Sequence, residues 1–141
     1  MLHKNTMPGF NDSGAHITNM AFFDANLMSL KFAQQRSLQT VSDMVRRLTR
    51  EPAEFFGVDA GSLEIGAQAD ITLVDPEVLR NWDSNETRQL HYRELFKHDQ
   101  MVNRPVGVVT RVLIRGETAW CDGAVTEALG TRPLGRALRA A

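Results

Sequence analysis

The stretch "GSLEIGAQADITLVDP", residues 61–76, is where the chain changes its period. Leu63 and Ile65 alternate, Gly66 turns the backbone, and Ala69, Ile71 and Leu73 resume a two-residue repeat with Val74 on the opposite face. Strict alternation between turn residues predicts two strands here. Asp75-Pro76 stops the second, because proline has no N–H for a ladder. Asp75 is expected to cap the turn that Pro76 starts. Asp70 reads as a residue that bonds local backbone amides at the entry to a buried strand.

Upstream of Gly61 the spacing is helical. Phe23, Leu27 and Leu30 recur between Met20 and Gln35 at helical spacing, with Phe32 a looser member of the pattern. "TVSD" resembles a capping box, with Thr40 as N-cap and Asp43 reaching back. Val41, Met44, Val45 and Leu48 form the stripe that follows. Pro52 is suited to the first turn of a further helix at Glu51 to Phe56, with Gly57 ending it. Nearer the start, residues 5 to 12 read as a short extended segment closing in a polar turn, since Pro8 and Gly9 exclude a helix.

Downstream, residues 76 to 101 are polar and mixed, with Trp82, Tyr92, Leu95 and Phe96 as anchors on helical turns. "PVGVVTRVLIRGETAWCDGAV", residues 105–125, is the clearest β stretch. Val106, Val108, Thr110, Val112 and Ile114 share one face, and Val109 and Leu113 the other. Gly116 and Asp122-Gly123 supply hairpin turns. The order of elements predicts an α+β chain that changes character between residues 57 and 61. Residues 1–57 then hold one short strand and at least two helices, and residues 62–125 mostly antiparallel strands.

Composition narrows the function. Sixteen Lys and Arg against 17 Asp and Glu leave a net charge of −1, too little positive charge for a general nucleic-acid binder. Arg132, Arg136 and Arg139 read as a solvated tail. No run has the length of a membrane span, and "MLHKNTMPGF" lacks the apolar stretch of a signal peptide. A single cysteine, Cys121, excludes an internal disulfide framework and every multi-cysteine zinc motif. It reads as a small packed residue. No membrane or nucleic-acid partner is expected, and a cytoplasmic location is.

The richest chemistry lies in "GFNDSGAHIT", residues 9–18, which gathers Asp12, Ser13 and His16 into one glycine-flanked turn. "DSGA" matches the short Asp-Ser/Thr-Gly signature of small homodimeric aspartic proteases. Asn11 stands where that family has an apolar residue, and the helical run that follows is foreign to an all-β protease. A second resemblance covers nearly the whole chain. "GFNDSGAH", then "VRRLTREPAEFFGVDAGSLEIGAQADITLVDP", then "VNRPVGVVTRVLIRGETAWCDG" resemble the C-terminal end of the amidohydrolase superfamily, in its N-acyl-D-amino-acid deacylase (D-aminoacylase) branch.

That resemblance implies a fold and a chemistry. Residues 1–57 correspond to strand eight and the final helices of a (β/α)8 metal-dependent hydrolase barrel, and residues 58–141 to the C-terminal strands of the accompanying small β-sandwich. Barrel enzymes of this kind carry their sites at the C-terminal ends of the strands. Asp12 corresponds to the aspartate that contacts the metal or its water and takes the proton as water attacks an amide. Ser13 and His16 orient the loop or touch substrate, an acylated amino acid. Zinc is the implied metal of the complete parent site. The family's His-x-His pair has no counterpart among His3, His16, His91 and His98. One aspartate does not close a tetrahedral shell, so the isolated chain is expected to bind no zinc and to be inactive; the apolar helix faces at Phe23, Leu27 and Leu30, left without the barrel strands they would pack on, are expected to seek a partner and make the chain self-associate. It reads as the last third of an enzyme. The other function classes are a non-catalytic folding or interaction module that keeps the family's end piece, and, weakest, the aspartic protease.

Overall fold

The computed structural model describes residue 3, residues 5–8 and residues 25–140. Among the described residues three helices come first: α1 (Ala25–Gln34), α2 (Leu38–Leu48) and α3 (Arg50–Phe56). Beyond Gly61 follow β1 (Ile71–Val74), α4 (Pro76–Asn81), β2 (Arg88–Arg93), β3 (His98–Asn103), β4 (Val109–Ile114), β5 (Glu117–Cys121) and β6 (Ala124–Val125). The strands form a four-stranded sheet in the order β1-β4-β5-β6 and a separate β2-β3 ribbon, with every pair antiparallel. The mixed character and the helix-to-strand change agree with the expected α+β order. Of the short segment expected over residues 5 to 12, residues 9–12 lie outside the described residues, and residues 5–8 hold a turn and no strand.

The cap of α2 is not Thr40. Ser37, in extended backbone, accepts the Thr40 N–H at 3.1 Å, and Asp43 instead accepts from the Gln39 side chain at 2.9 Å. Only the two residues Gln35 and Arg36 separate the end of α1 from Ser37. The chain must reverse there, so the new helix starts as soon as a capping hydroxyl is available. The end of α3 follows expectation. Gly57 is left-handed at φ 65°, its N–H reaches Glu54 O at 3.2 Å, and the Val58 N–H reaches Ala53 O at 2.9 Å. These two bonds satisfy the last carbonyls of the helix.

The first of the two strands expected in residues 61–76 does not form. Leu63 is 81% exposed and Ile65 fully so, in a run of turns. Among the described residues no strand lies beside them, and alternation without a partner ladder does not hold chain in a sheet. The second strand does form, as β1, and Asp75 caps α4 by accepting the Glu77 and Val78 N–H groups at 2.8 and 3.0 Å.

Both sides of Gly61 share one core. Leu79, Trp82 and Val108 are buried together, and Leu27, Met28, Leu30 and Val74 pack on them. Gly61 itself passes tightly over the α2–α3 junction at φ 73°, and a Cβ there would sit 2.7 Å from the Thr49 carbonyl. Val106, expected on the buried face of the main strand, is 88% exposed, because Gly107 at φ 79° breaks the alternation before β4 begins. Residues 76–101 hold one helix and a ribbon rather than a series of helical turns. Trp82 is an anchor, whereas Tyr92 and Leu95 face solvent. The C-terminal arginines are solvent-exposed, as expected, and two of them also make surface ion pairs. Arg132 pairs with Glu117 at 2.6 Å, Arg136 lies 3.8 Å from Asp59, and Leu134 between them is buried.

Candidate functional site

Asp12, Ser13 and His16 lie outside the described residues. The structure does place the chain that leads to them. The Thr6 N–H donates to His3 O at 3.0 Å and the Thr6 hydroxyl to the same oxygen at 2.8 Å, closing a turn. One guanidinium nitrogen of Arg47, Nη2, donates to both His3 O, at 3.0 Å, and Thr6 O. Arg47 stands three positions after Met44 on the buried side of α2 and is 7% exposed. Its Nε lies 3.4 Å from the Glu51 carboxylate in the first turn of α3. A charged donor pointed at backbone carbonyls away from water is a strong tether.

The other carboxylates and the thiol singled out in the sequence serve the fold. Asp70 accepts the Arg115 N–H at 2.8 Å and the Gln68 side chain at 2.5 Å, while the adjacent Ala69 O accepts the Gly116 N–H at 2.9 Å. Asp70 thus bonds a backbone amide as expected, but one on the β4–β5 turn rather than a local one. The Cys121 thiol donates to the Asp122 carboxylate at 3.1 Å and lies 3.5 Å from the Arg111 guanidinium. His91 is exposed, and His98 stacks on Phe96 with ring centroids 6.2 Å apart.

The resemblance to metal-dependent hydrolases implies a metal shell in the complete site. Among the described residues no three His, Cys, Asp or Glu side chains converge. These residues therefore do not fit a zinc centre, which needs about three protein ligands. A cleft of about 620 Å³ is lined by Val106, Val112, Ile114, Trp120 and Leu129 together with Arg104. Among the described residues no carboxylate, histidine, cysteine or hydroxyl lines it, so those residues offer it shape and apolar surface. Arg50 has a pKa raised above its usual value, chiefly by the hydrogen bond from its Nε to Glu54 at 2.7 Å. That is a surface helix pair rather than a catalytic group.

Two sets of residues escaped the sequence reading. Arg47 is one. Its signal is a cation in the buried stripe of an otherwise apolar helix face, three positions from Met44. The second set runs from the Trp82 indole N–H to Thr87 Oγ1 at 2.8 Å, and from the Thr87 hydroxyl to Asn103 Oδ1 at 2.5 Å. Asn103 Nδ2 then donates to Ser84 O and Oγ at 3.0 and 2.8 Å. No spacing rule marks it, since its members are up to 21 positions apart. No helix among the described residues is long and apolar enough to cross a membrane.

Comparison with known proteins matches residues 9–119 to the amidohydrolase family. An uncharacterized protein of Mycobacterium tuberculosis is 42% identical over 73 residues, which cover 48% of this chain and 12% of that protein. A D-phenylhydantoinase of Escherichia coli is 30% identical over 125 residues, 83% of this chain and 23% of the enzyme. The chain thus spans under a quarter of the length of these relatives. No solved structure matches it.

Proposed function

This chain belongs to the amidohydrolase family, and from that premise we propose that it is the C-terminal part of a hydrolase that cleaves a C–N amide bond. The substrate we assign to the parent enzyme is an N-acyl-D-amino acid, and the general base is Asp12. The observation that carries this reading is the family match over residues 9–119, which opens on "GFNDSGAH". A carboxylate within hydrogen-bond reach of the attacking water removes its proton as the bond to the amide carbon forms. Ser13 and His16 orient the loop or meet the substrate. Residues 1–57 correspond in this reading to the end of the hydrolase barrel and residues 58–141 to the sandwich portion. A zinc ion in the complete site draws its ligands from outside the described residues, with Asp12 among them. A cytoplasmic location is part of the same reading.

A second substrate class is favoured by one specific finding. The Escherichia coli relative that aligns with 83% of this chain is a D-phenylhydantoinase. A hydantoin is a cyclic amide, so both substrates present a C–N bond to the same base. The aspartic protease reading has no support in the family match, and three successive helices follow the Asp-Ser-Gly triplet.

The chain supplied with the N-terminal portion of a full-length relative tests these assignments, using N-acetyl-D-amino acids and phenylhydantoin as substrates. Asp12→Asn is expected to lower kcat by about 10²–10⁴-fold with the circular dichroism spectrum kept. An assembled, folded complex with no turnover of either substrate would identify a non-catalytic end module instead. The chain alone is expected to hold no stoichiometric zinc by elemental analysis and to hydrolyse neither substrate above background. Zinc and deacylase activity in the chain alone, lost on Asp12→Asn, would show that it completes its own site.

Self-association of the isolated chain belongs to the same proposal. Leu27 and Leu30 of α1, expected to seek a partner, are already half-buried on the core. The apolar surface that remains is elsewhere, at Leu38, Phe55, Phe56, Leu63 and Ile65. Light scattering at micromolar concentration is expected to give a mass above that of one chain.

A further inference from the structure

We propose that the cleft lined by β4 and β5 binds a monocarboxylate with an apolar body, and that Arg104 takes the carboxylate. The inference stands whether or not Asp12 is a general base. A volume of about 620 Å³ is in the range of sites that hold small ligands. Val112 and Ile114 of β4 and Trp120 of β5 give it a sheet-side wall, and Leu129 joins them from the C-terminal segment. Among the described residues Arg104 is the one charged group in this lining, with the Gln89 amide of β2 beside it.

The chain holds Arg104 in place from both sides. Pro105 restricts the residue before it to extended backbone. Asn103, buried, is bonded to Thr87 and Ser84. Past Val106, Gly107 turns at φ 79° into Val108, which is fully buried. The backbone is thus pinned while the Arg104 side chain stays exposed. Arg80 and Arg132 are engaged by Glu77 and Glu117, whereas among the described residues no carboxylate pairs with Arg104. A guanidinium presents a planar fork that matches a carboxylate. The charge of the ligand is limited from the other side. A second cleft, which shares Val106, is lined by Glu77, Asp83 and Glu86. Those carboxylates repel a further negative charge, so a single anionic group on an apolar chain or ring is the matching ligand.

The test titrates the full chain with octanoate and with its neutral analogue octanol, followed by amide and indole NMR. Octanoate is expected to bind saturably and to move the Gly107 and Val112 amides and the Trp120 indole, while the Phe55 and Phe56 amides stay. Octanol is expected to bind about tenfold more weakly, the loss that follows removal of one charge-assisted bond. Arg104→Gln is expected to weaken octanoate by about the same tenfold and to leave octanol unchanged. Leu129→Asp places a like charge in the lining and is expected to remove octanoate binding. Both side chains are exposed, so both variants are expected to keep the amide pattern of the sheet. Absence of saturable binding overturns the site. Octanol as tight as octanoate, or octanoate undiminished in Arg104→Gln, overturns the carboxylate assignment. Binding that moves Phe55 and Phe56 and survives Leu129→Asp is adsorption to exposed apolar surface and overturns the proposal. If Leu129→Asp disturbs the sheet, the Arg104→Gln and octanol comparisons decide.

Discussion

The four-stranded sheet and the two-stranded ribbon are built from the same kind of antiparallel pairing, yet they are specified in opposite ways. In the sheet, β4 runs into β5 through Arg115-Gly116 and β5 into β6 through Asp122-Gly123, and all four residues have positive φ, at 52°, 82°, 49° and 89°. Two successive left-handed residues give the turn whose twist matches paired strands. Glycine or aspartate-glycine at these points announces the hairpins in the sequence. The ribbon turns through Glu94, Leu95, Phe96 and Lys97, with the Phe96 and Lys97 N–H groups returning to Arg93 O at 3.0 and 2.8 Å. Only Lys97 is left-handed, at φ 55°. Those four residues contain no glycine, proline or asparagine, so nothing local marks a reversal. The ribbon is held instead by the Trp82–Thr87–Asn103–Ser84 bonds. A hairpin can thus be encoded in its turn or in its attachment.

The largest disturbance falls on the residue common to both regions. Trp82 packs with Leu79 and Val108 and also donates to Thr87. Trp82→Ala is expected to cost about 3–5 kcal/mol, read as a lower urea midpoint with sheet and ribbon unfolding together. Separate transitions for the two would show that Trp82 does not join them. Asn103→Ala breaks only the attachment. It is expected to cost about 1–3 kcal/mol, since Ser84 and Thr87 lose a buried partner. Amide exchange should rise in β2–β3 while β4–β5 is unchanged. Equal loss in both would erase the distinction. Gly123→Ala attacks the other mode of specification. Space is open around it, so the expected cost of about 1 kcal/mol is purely one of backbone conformation. The smallest effect is a gain. Lys97→Gly relieves a left-handed residue and is expected to raise stability by a few tenths of a kcal/mol, giving the ribbon the turn signal it lacks. A Tm that falls instead would show that the Lys97 side chain, 2.5 Å from Glu94, matters more than its backbone.

Much of the sheet and of the helix ends was therefore readable in advance. Gly57, Asp75, Gly116 and Asp122-Gly123 all act as their local chemistry requires. The cap of α2 was misplaced by three residues, because both Ser37 and Thr40 are capping types and only the reversal after α1 chooses between them. The family was legible in the ordered motifs that open on "GFNDSGAH", whereas the partners of Arg47 were not. The spacing of Arg47 from Met44 in "MVRRLTR" puts it on the buried face of α2, but nothing near it in sequence names the carbonyls it meets.

Local chemistry reaches only across a few residues, and within that reach it encodes the helix stop at Gly57, the cap at Asp75, two hairpin turns, and the family membership carried by an ordered set of short motifs. Only the tertiary structure decided the rest. Leu63 and Ile65 alternate like a strand and remain exposed, because a strand needs a neighbour to accept its ladder. Asp70 clamps a turn 45 positions away, Leu134 is buried from what reads as a tail, and Arg47 tethers Thr6 across 41 positions. Each of these residues is polar or apolar by type, but its role is set by which distant backbone folding brings against it. That choice depends on the whole packed chain, and no local spacing records it.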